Sequence, residues 1–110
     1  MAYDEALAKR IREALPGEGH IDELRMFGGL SFMIGGHVAL GIVGNELMVR
    51  VGPDGYQRAL RRAHAREMDF TGRSIKGFVF VEPAGIRTKR SLASWIVPAV
   101  AFAKSLPKAG

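Results

Sequence analysis

The chain has 110 residues, of which 47% are hydrophobic, and its 16 lysines and arginines outnumber its 11 aspartates and glutamates, giving a net charge of +5. This length predicts a single domain, residues 1–110, with a hydrophobic core of its own. The absence of cysteine excludes a disulfide framework, a thiolate zinc site and a cysteine nucleophile.

The basic residues are concentrated in the second half of the chain. Residues 1–55 hold five basic and eight acidic residues, whereas residues 56–110 hold eleven basic and three acidic ones. Such asymmetry suggests a polyanionic partner, although a solvated surface also explains it. No apolar run approaches the ~18 residues of a membrane span, and the first residues do not resemble a signal peptide. We therefore expect a cytoplasmic protein without membrane contact.

The first predicted element is an amphipathic helix over residues 3–15. Tyr3, Leu7, Ile11 and Leu15 recur every four residues, which places them on one helical face. Pro16-Gly17 ends this helix. Residues 18–23 are polar and predict a connector.

Three short apolar runs, residues 30–34, 38–43 and 46–51, follow this connector. Along the last two runs, larger apolar residues alternate with other residue types, which indicates strands with one buried face. Gly35-Gly36 and Gly44-Asn45 suit two-residue hairpin turns. The pattern therefore predicts a three-stranded antiparallel meander. Gly41, within the second strand, predicts close approach of a neighbouring backbone or a bulge.

A second helix is predicted from Pro53, a residue that suits the first helical turn. One face of this helix is apolar and includes Ala63. The opposite face carries four arginines within an arc of roughly 140°: Arg58, Arg61, Arg62 and Arg66. Because guanidinium groups bind phosphates through paired hydrogen bonds, this face is a candidate site for nucleic acid or another anion. The alternative interpretation is a solvated face.

Two short strands, residues 68–70 and 78–81, and a third helix complete the predicted order. Ser91 is the predicted N-cap of this helix, and Pro98 predicts a kink or an early break. Residues from about 105 to 110 are predicted to form a flexible tail. The order α-β-β-β-α-β-β-α predicts an α+β fold with a five-stranded antiparallel sheet and helices packed on it. The predicted buried stripe of the third helix is Leu92, Trp95, Ile96, Ala99, Val100 and Ala103.

No motif in the sequence predicts catalysis. The glycine pairs join strand to strand and are not followed by Lys-Ser or Lys-Thr, so they indicate turns rather than a phosphate loop. Ser31 lacks the second glycine of a nucleophile elbow and is predicted to lie on the less buried face of a strand. His20, His37 and His64, the last on the second helix, are too widely spaced for a local zinc site. We predict no catalytic residue, metal or cofactor.

Several segments resemble, in order, the N-terminal domain of the TfoX/Sxy family, which is named for regulators of natural competence in bacteria. They are Arg-Met-Phe-Gly-Gly at 25–29, Gly-Gly-His-Val-Ala at 35–39, Leu-Met-Val-Arg-Val at 47–51, Phe-Val-Phe-Val-Glu-Pro at 78–83 and Leu-Ala-Ser-Trp at 92–95. The resemblance implies an α-β3-α-β2-α fold in two layers, like that of secretion chaperones. It implies no catalytic residues. The residues that match the family motif and have a structural role are Met26, Phe27, Gly28, Gly29, Gly35 and Gly36.

The function implied by this resemblance is that of a non-enzymatic regulatory or protein-interaction module, as in transcription regulation. We expect a protein partner, and also a homodimer, because an open sheet has two edges that can pair with another chain. Two alternatives remain at this point. One is nucleic-acid binding through the four arginines, and the other is small-molecule binding, which requires a concave pocket with convergent polar groups.

Overall fold

The computed structural model describes residues 3–15, 21–26, 28–70 and 73–107. Within these ranges the chain forms three helices, six strands and a short 3-10 turn at Pro83–Gly85. The helices are α1 (Glu5–Ala14), α2 (Gly52–Leu60) and α3 (Lys89–Ser105). The strands are β1 (Ile21–Met26), β2 (Gly29–Ile34), β3 (His37–Val43), β4 (Glu46–Arg50), β5 (Ala65–Phe70) and β6 (Arg73–Val81).

The six strands form one antiparallel sheet in the order β1-β2-β3-β4-β6-β5. This arrangement confirms the α+β class, but the prediction of five strands is wrong. The additional strand, β1, occupies an edge and pairs with β2 from Ile21 opposite Ile34 to Met26 opposite Gly29. Its four central residues are exposed. Because β1 buries almost no apolar surface, its hydrophobic pattern did not distinguish it from the predicted polar connector.

The meander of β2, β3 and β4 and both of its predicted hairpin turns are confirmed. Gly35 and Gly36 have positive φ of 59° and 83°, which is the backbone that a two-residue type I′ turn requires. The close approach predicted at Gly41 is also confirmed. A Cβ at this position would lie only 2.6 Å from the carbonyl oxygen of Leu30 on β2.

The two faces of the sheet differ in what covers them. Leu47 and Val49 of β4 pack in the core formed with all three helices. Met48, between them, points to the opposite face and packs with Met68 and Phe80 in a cluster built from strand residues. The alternation of β4 and β6 therefore places the described helices on one face, and none of them packs on the other. We call the second surface the helix-free face.

The first helix begins two residues later than predicted, because Asp4 is its N-cap. The Asp4 carboxylate accepts hydrogen bonds from the amides of Ala6 and Leu7 at 2.9 and 3.1 Å, and such a cap fixes the start of a helix. The Asp4 amide in turn donates to Gly44 O at 2.7 Å, which fixes the start of α1 beside the β3–β4 turn. Pro16-Gly17 lies outside the described residues.

The third helix differs from its prediction at the N-cap and at Pro98. Thr88, not Ser91, is the N-cap, and the two side chains form a reciprocal capping box with Ser91 at position N3. The helix continues through Pro98 to Ser105, so the predicted early break is wrong. Residues 108–110 of the predicted tail lie outside the described residues. The predicted buried stripe is confirmed in full: Leu92, Trp95, Ile96, Ala99, Val100 and Ala103.

None of the helices in the described parts of the chain is long and apolar enough to cross a membrane.

Ser31 lies on β2 and on the helix-free face, in agreement with the predicted less buried face of a strand, but Ser31 itself is only 1% exposed. Its Oγ has no hydrogen-bond partner among the described residues. An unpaired buried hydroxyl costs about 1–3 kcal/mol. We therefore expect Ser31→Ala to raise the free energy of unfolding by about 1 kcal/mol, measured by urea titration. Ser94→Ala, which removes a hydroxyl that is hydrogen-bonded, should lower it. A clear loss of stability in Ser31→Ala would contradict this prediction.

Candidate interaction surfaces

The four arginines predicted to share one helical face lie on three different parts of the chain. Helix α2 ends at Leu60, so that only Arg58 lies within it, and Arg61 is its C-cap. Arg62 lies in the following turn, and Arg66 lies on β5. The predicted longer helix is therefore wrong.

The chain leaves the helix at a turn centred on residues 61–64. His64 has a positive φ of 70°, a conformation that does not continue a right-handed helix. It therefore lies in the turn rather than on the second helix, and β5 begins at the next residue. Ala63, which was assigned to the apolar face of the helix, is exposed in this turn.

Arg66 is engaged by acidic and aromatic groups of the sheet. Its guanidinium forms a two-pronged ion pair with Glu46 of β4, in which Nε lies 3.3 Å from Oε2. Nη1 lies 3.7 Å from the Asp69 carboxylate. The same guanidinium lies 4.8 Å from the ring centroid of Phe80, within cation–π range. These contacts leave Arg66 with little free charge for an external phosphate.

Arg62 joins the end of α2 to α3. Its guanidinium lies 3.6 Å from the ring centroid of Trp95, and Nη2 donates to Ser94 Oγ at 2.8 Å. Burial lowers the pKa of this guanidinium. Nη1 lies 3.5 Å from the Ser94 carbonyl oxygen, which lacks its usual helical donor because residue 98 is proline. Arg62 therefore offers a hydrogen-bond donor to the Ser94 carbonyl oxygen in place of the amide that Pro98 lacks. This contact stabilises α3 at the proline.

Four further basic side chains lie at the end of α2 and in the first turn of α3, two segments that the Arg62–Ser94 hydrogen bond connects. Arg58 and Arg61 are exposed, as are Lys89 and Arg90 in the first turn of α3. None of the four has a side-chain hydrogen bond or ion pair to another described residue. Lys89 and Arg90 lie at the N-terminus of α3, where the helix dipole disfavours positive charge, so their charges do not stabilise the helix. We call these four residues the basic patch. It contains Arg58 and Arg61 of the predicted arginine face, and also Lys89 and Arg90, which the sequence suggested as an extension of that face.

At the opposite edge of the sheet, Glu23 of β1 is held by Arg12 of α1. The Arg12 Nε and Nη2 atoms donate to the two Glu23 carboxylate oxygens at 2.8 and 2.7 Å. These hydrogen bonds lower the pKa of Glu23 and raise that of Arg12. The pair fixes Glu23 on the helix-bearing face of β1.

The lowered pKa of Glu23 gives a pH prediction with a definite sign. A carboxylate with a lowered folded-state pKa adds stability above its ordinary value of 4.5, and this stability is lost as the pH falls through the folded-state value. Because the pair is at the surface, its contribution should be below about 1 kcal/mol. We expect the difference in unfolding free energy between wild type and Glu23→Gln to vanish on acidification below 4.5. Denaturant titrations at several pH values measure it, and a pH-independent difference would contradict the prediction.

The helix-free face presents apolar side chains that no described helix covers. Val38, Val43 and Phe78 are partly exposed around the buried Met48, Met68 and Phe80. At the β1 edge of this face, Leu24 is 51% exposed, and its register opposite Ser31 places it in the row of Met48. An apolar surface of this kind marks a contact site for another molecule.

The described residues form a small pocket between α1, the β3–β4 turn and the 3-10 turn. Its volume is about 100 Å³, and Arg10 and Asp4 are among its lining residues. Arg10 Nη2 donates to Ile86 O at 2.6 Å, and Asp4 caps α1. Ligand pockets usually enclose about 300–1,000 Å³. This pocket is smaller, and its polar groups already bond within the fold, so this pocket is a poor candidate for a small-molecule site.

The histidines do not come together with other ligands in the described parts of the chain. His37 Nε2 lies 2.6 Å from Pro107 O, His64 lies 3.8 Å from Glu82, and His20 is outside the described residues. No group of three or more histidine, aspartate or glutamate side chains that could hold a metal is present among the described residues.

The family motif residues build the turns on both sides of β2. Met26 ends β1, Gly28 turns the chain with a φ of 74°, and Gly29 begins β2. Gly35-Gly36 forms the next turn, while Phe27 lies outside the described residues. Because a turn between strands requires a strand before it, the Gly28-Gly29 pair was the signal that could have revealed β1 and its exposed edge.

Comparison with known proteins agrees with this arrangement. The family model described as TfoX N-terminal domain matches residues 13–103, from the last residues of α1 almost to the end of α3. No curated protein and no solved structure gives a significant match. Since the family model covers most of the 110 residues, the chain belongs to the TfoX N-terminal domain family.

Proposed function

We propose that this chain is a cytoplasmic, non-enzymatic regulatory module that binds a protein partner through the helix-free face of its sheet. The observation that carries the proposal is the partly exposed apolar surface of Val38, Val43 and Phe78 around a buried cluster. Membership of the TfoX N-terminal domain family supports a role like that of competence regulators.

The chemistry of this face favours a protein over a charged ligand. Arg66, on the edge strand β5, is paired with Glu46 and lies over Phe80, which largely cancels its charge. The Arg50 guanidinium of β4 lies over Phe78, 5.4 Å from its ring centroid. Met48 and Met68 lie beneath the surface, and their flexible side chains adapt to different apolar partners. The surface suits an apolar segment of another protein.

Affinity capture from the native host, carried out with wild type and two matched variants, tests the proposal. Val38→Gln changes the helix-free face, whereas Val97→Gln makes the same change on the outer side of α3, where Val97 is 53% exposed. We expect nuclease-treated wild type and Val97→Gln to capture the same protein, and Val38→Gln to lose it. Circular dichroism checks that both variants are folded. Capture that is unaffected by Val38→Gln would contradict the proposal.

Nucleic-acid binding is a second candidate, favoured by the basic patch. The Arg62–Ser94 hydrogen bond connects the two elements that carry Arg58, Arg61, Lys89 and Arg90, and residues 56–110 hold eleven basic against three acidic residues. Binding by such a patch should weaken steeply with added salt. Arg61→Glu should then lower affinity for DNA or RNA far more than Lys9→Glu on α1, measured by fluorescence anisotropy. Equal affinities of the two variants for DNA or RNA would exclude the basic patch as the nucleic-acid binding site.

A further inference from the structure

We infer that β1 of one chain pairs with β1 of a second copy, in antiparallel orientation, around a two-fold axis at Leu24. This inference rests on the proposed function as a protein-contact module and names one of its partners. It concerns the edge of the sheet, whereas the proposed host partner binds the helix-free face.

The β1 edge is suitable for pairing with another strand. β1 lies at the end of the strand order, and among the described strands it pairs with β2 alone. All six of its residues are in continuous register with β2, without a bulge. The amide and carbonyl groups on its outer side are therefore available as a regular template for a further strand.

Geometry limits the registers that two copies of β1 can adopt. Residues directly opposite in an antiparallel ladder point to the same face, and successive residues alternate between faces. A two-fold axis perpendicular to the sheet keeps equivalent faces together. Each such register therefore places one residue of β1 opposite itself.

With an axis at either end residue, Ile21 or Met26, no other residue of β1 would lie opposite β1 of the second copy. Charges select among the four remaining registers. The sequence from 22 to 25 is Asp-Glu-Leu-Arg. An axis at Asp22, Glu23 or Arg25 would bring two identical charges together, which is unfavourable across a strand pair. An axis at Leu24 instead places Glu23 opposite Arg25 of the second copy, and Arg25 opposite Glu23. This register forms two ion pairs and a leucine contact.

The side chains are already positioned for this register. Arg12 fixes Glu23 on the helix-bearing face, and Arg25 lies on the same face, opposite the core residue Leu30. Arg25 is exposed and has no side-chain hydrogen bond or ion pair within the described ranges. Leu24 points to the helix-free face, where its 51% exposure would fall on contact with its copy.

The other edge of the sheet is less suitable for self-pairing. On β5, an axis at Met68 would place Glu67 opposite Asp69 of the second copy, and these charges repel. An axis at Arg66, Glu67 or Asp69 would bring two identical charges together. The pairing of β5 with β6 also shifts register between Glu67 and Asp69, and such irregularities protect edges from association. Pairing through β1 therefore uses the more suitable edge of the described sheet, and we expect the assembly to close at two copies.

Single cysteines test the register directly, because the natural chain contains none. In the inferred dimer the two Leu24 Cα atoms are about 4.5–5.5 Å apart, which permits a disulfide. Met26 lies opposite Asp22, so the two Met26 Cα atoms are roughly 13 Å apart and cannot be bridged. Val97, 53% exposed on α3, matches Leu24 in exposure.

We expect mild oxidation of dilute Leu24→Cys to give a covalent dimer, and Met26→Cys and Val97→Cys to form no covalent dimer. Equal cross-linking of all three variants, or none in Leu24→Cys, would overturn the inferred register. Such a failure leaves the capture experiment with Val38→Gln unaffected, so the two proposals fail separately.

A charge exchange provides a second test. Arg25→Glu alone and Glu23→Arg alone each place like charges together, and each should weaken self-association about tenfold or more. Lys9→Glu, the charge-matched control for Arg25→Glu, should leave it unchanged. An equimolar mixture of Arg25→Glu and Glu23→Arg restores both ion pairs between the chains and should associate more strongly than either variant alone, even though Glu23→Arg loses its partner Arg12. Failure of the mixture to associate, with both variants folded, would overturn the inference.

Discussion

Gly29→Ala is expected to lower the free energy of unfolding by more than about 3 kcal/mol, the upper part of the range for overpacking. A Cβ at this position would overlap the carbonyl oxygen of Ile42 and lie 2.9 Å from its carbonyl carbon. Both atoms belong to the backbone of β3, so no side chain can move aside. The strands β2 and β3 would have to separate at the start of β2.

Gly55→Ala is the matched control, because it adds the same methyl group to α2 without a clash. The nearest atom to its Cβ would be 3.9 Å away. Alanine in a helix is favoured over glycine by about 1 kcal/mol, so this variant should be more stable than wild type. Urea titration followed by circular dichroism measures both variants. A loss below about 1 kcal/mol in Gly29→Ala would show that β2 and β3 are not packed as described.

Trp95→Ala is expected to lower the free energy of unfolding by about 3–5 kcal/mol, as is usual for a buried aromatic residue. Trp95 is 3% exposed and packs in the core between α3 and the sheet. Its other surface is covered by the Arg62 guanidinium at 3.6 Å from the ring centroid. The substitution removes both contacts.

The contribution of Arg62 can be separated by a double-mutant cycle. We expect Arg62→Ala to be costly in wild type and less costly in Trp95→Ala, with a coupling of about 0.5–2 kcal/mol. Val97→Ala, on the exposed side of the same helix, should change stability by less than about 0.5 kcal/mol. Circular dichroism follows unfolding, since Trp95 is the one tryptophan. Additive effects of Arg62→Ala and Trp95→Ala would contradict the stacking contact.

The elements that the sequence predicted correctly are those with a buried face. The stripe from Leu92 to Ala103 and the alternation of Leu47 and Val49 reflect burial, and both are found in the core. β1 was missed because Asp22, Glu23 and Arg25 face solvent on an edge strand, where burial imposes no pattern. Backbone pairing with β2, which hydrophobicity does not report, holds this strand in place.

The candidate site was predicted less well, because helical periodicity assumed that α2 continues past Leu60. The turn at His64 redirects the chain, and the spacing of the four arginines could not show this. The contacts of Arg62 with Trp95 and of Arg66 with Glu46 join residues distant in sequence. They depend on tertiary packing. By contrast, the glycine motif identified the family correctly because its turns are local.

Sedimentation equilibrium over a wide concentration range measures the molar mass of the free chain in solution. This measurement most directly tests whether the sheet of one copy pairs with the sheet of a second copy. We expect the mass to rise with concentration from 12.0 kDa for the single chain to twice that value and then to remain there, because pairing through β1 uses the edge and closes the dimer. A mass that stays at 12.0 kDa at every concentration, or that keeps increasing beyond the dimer, would contradict it.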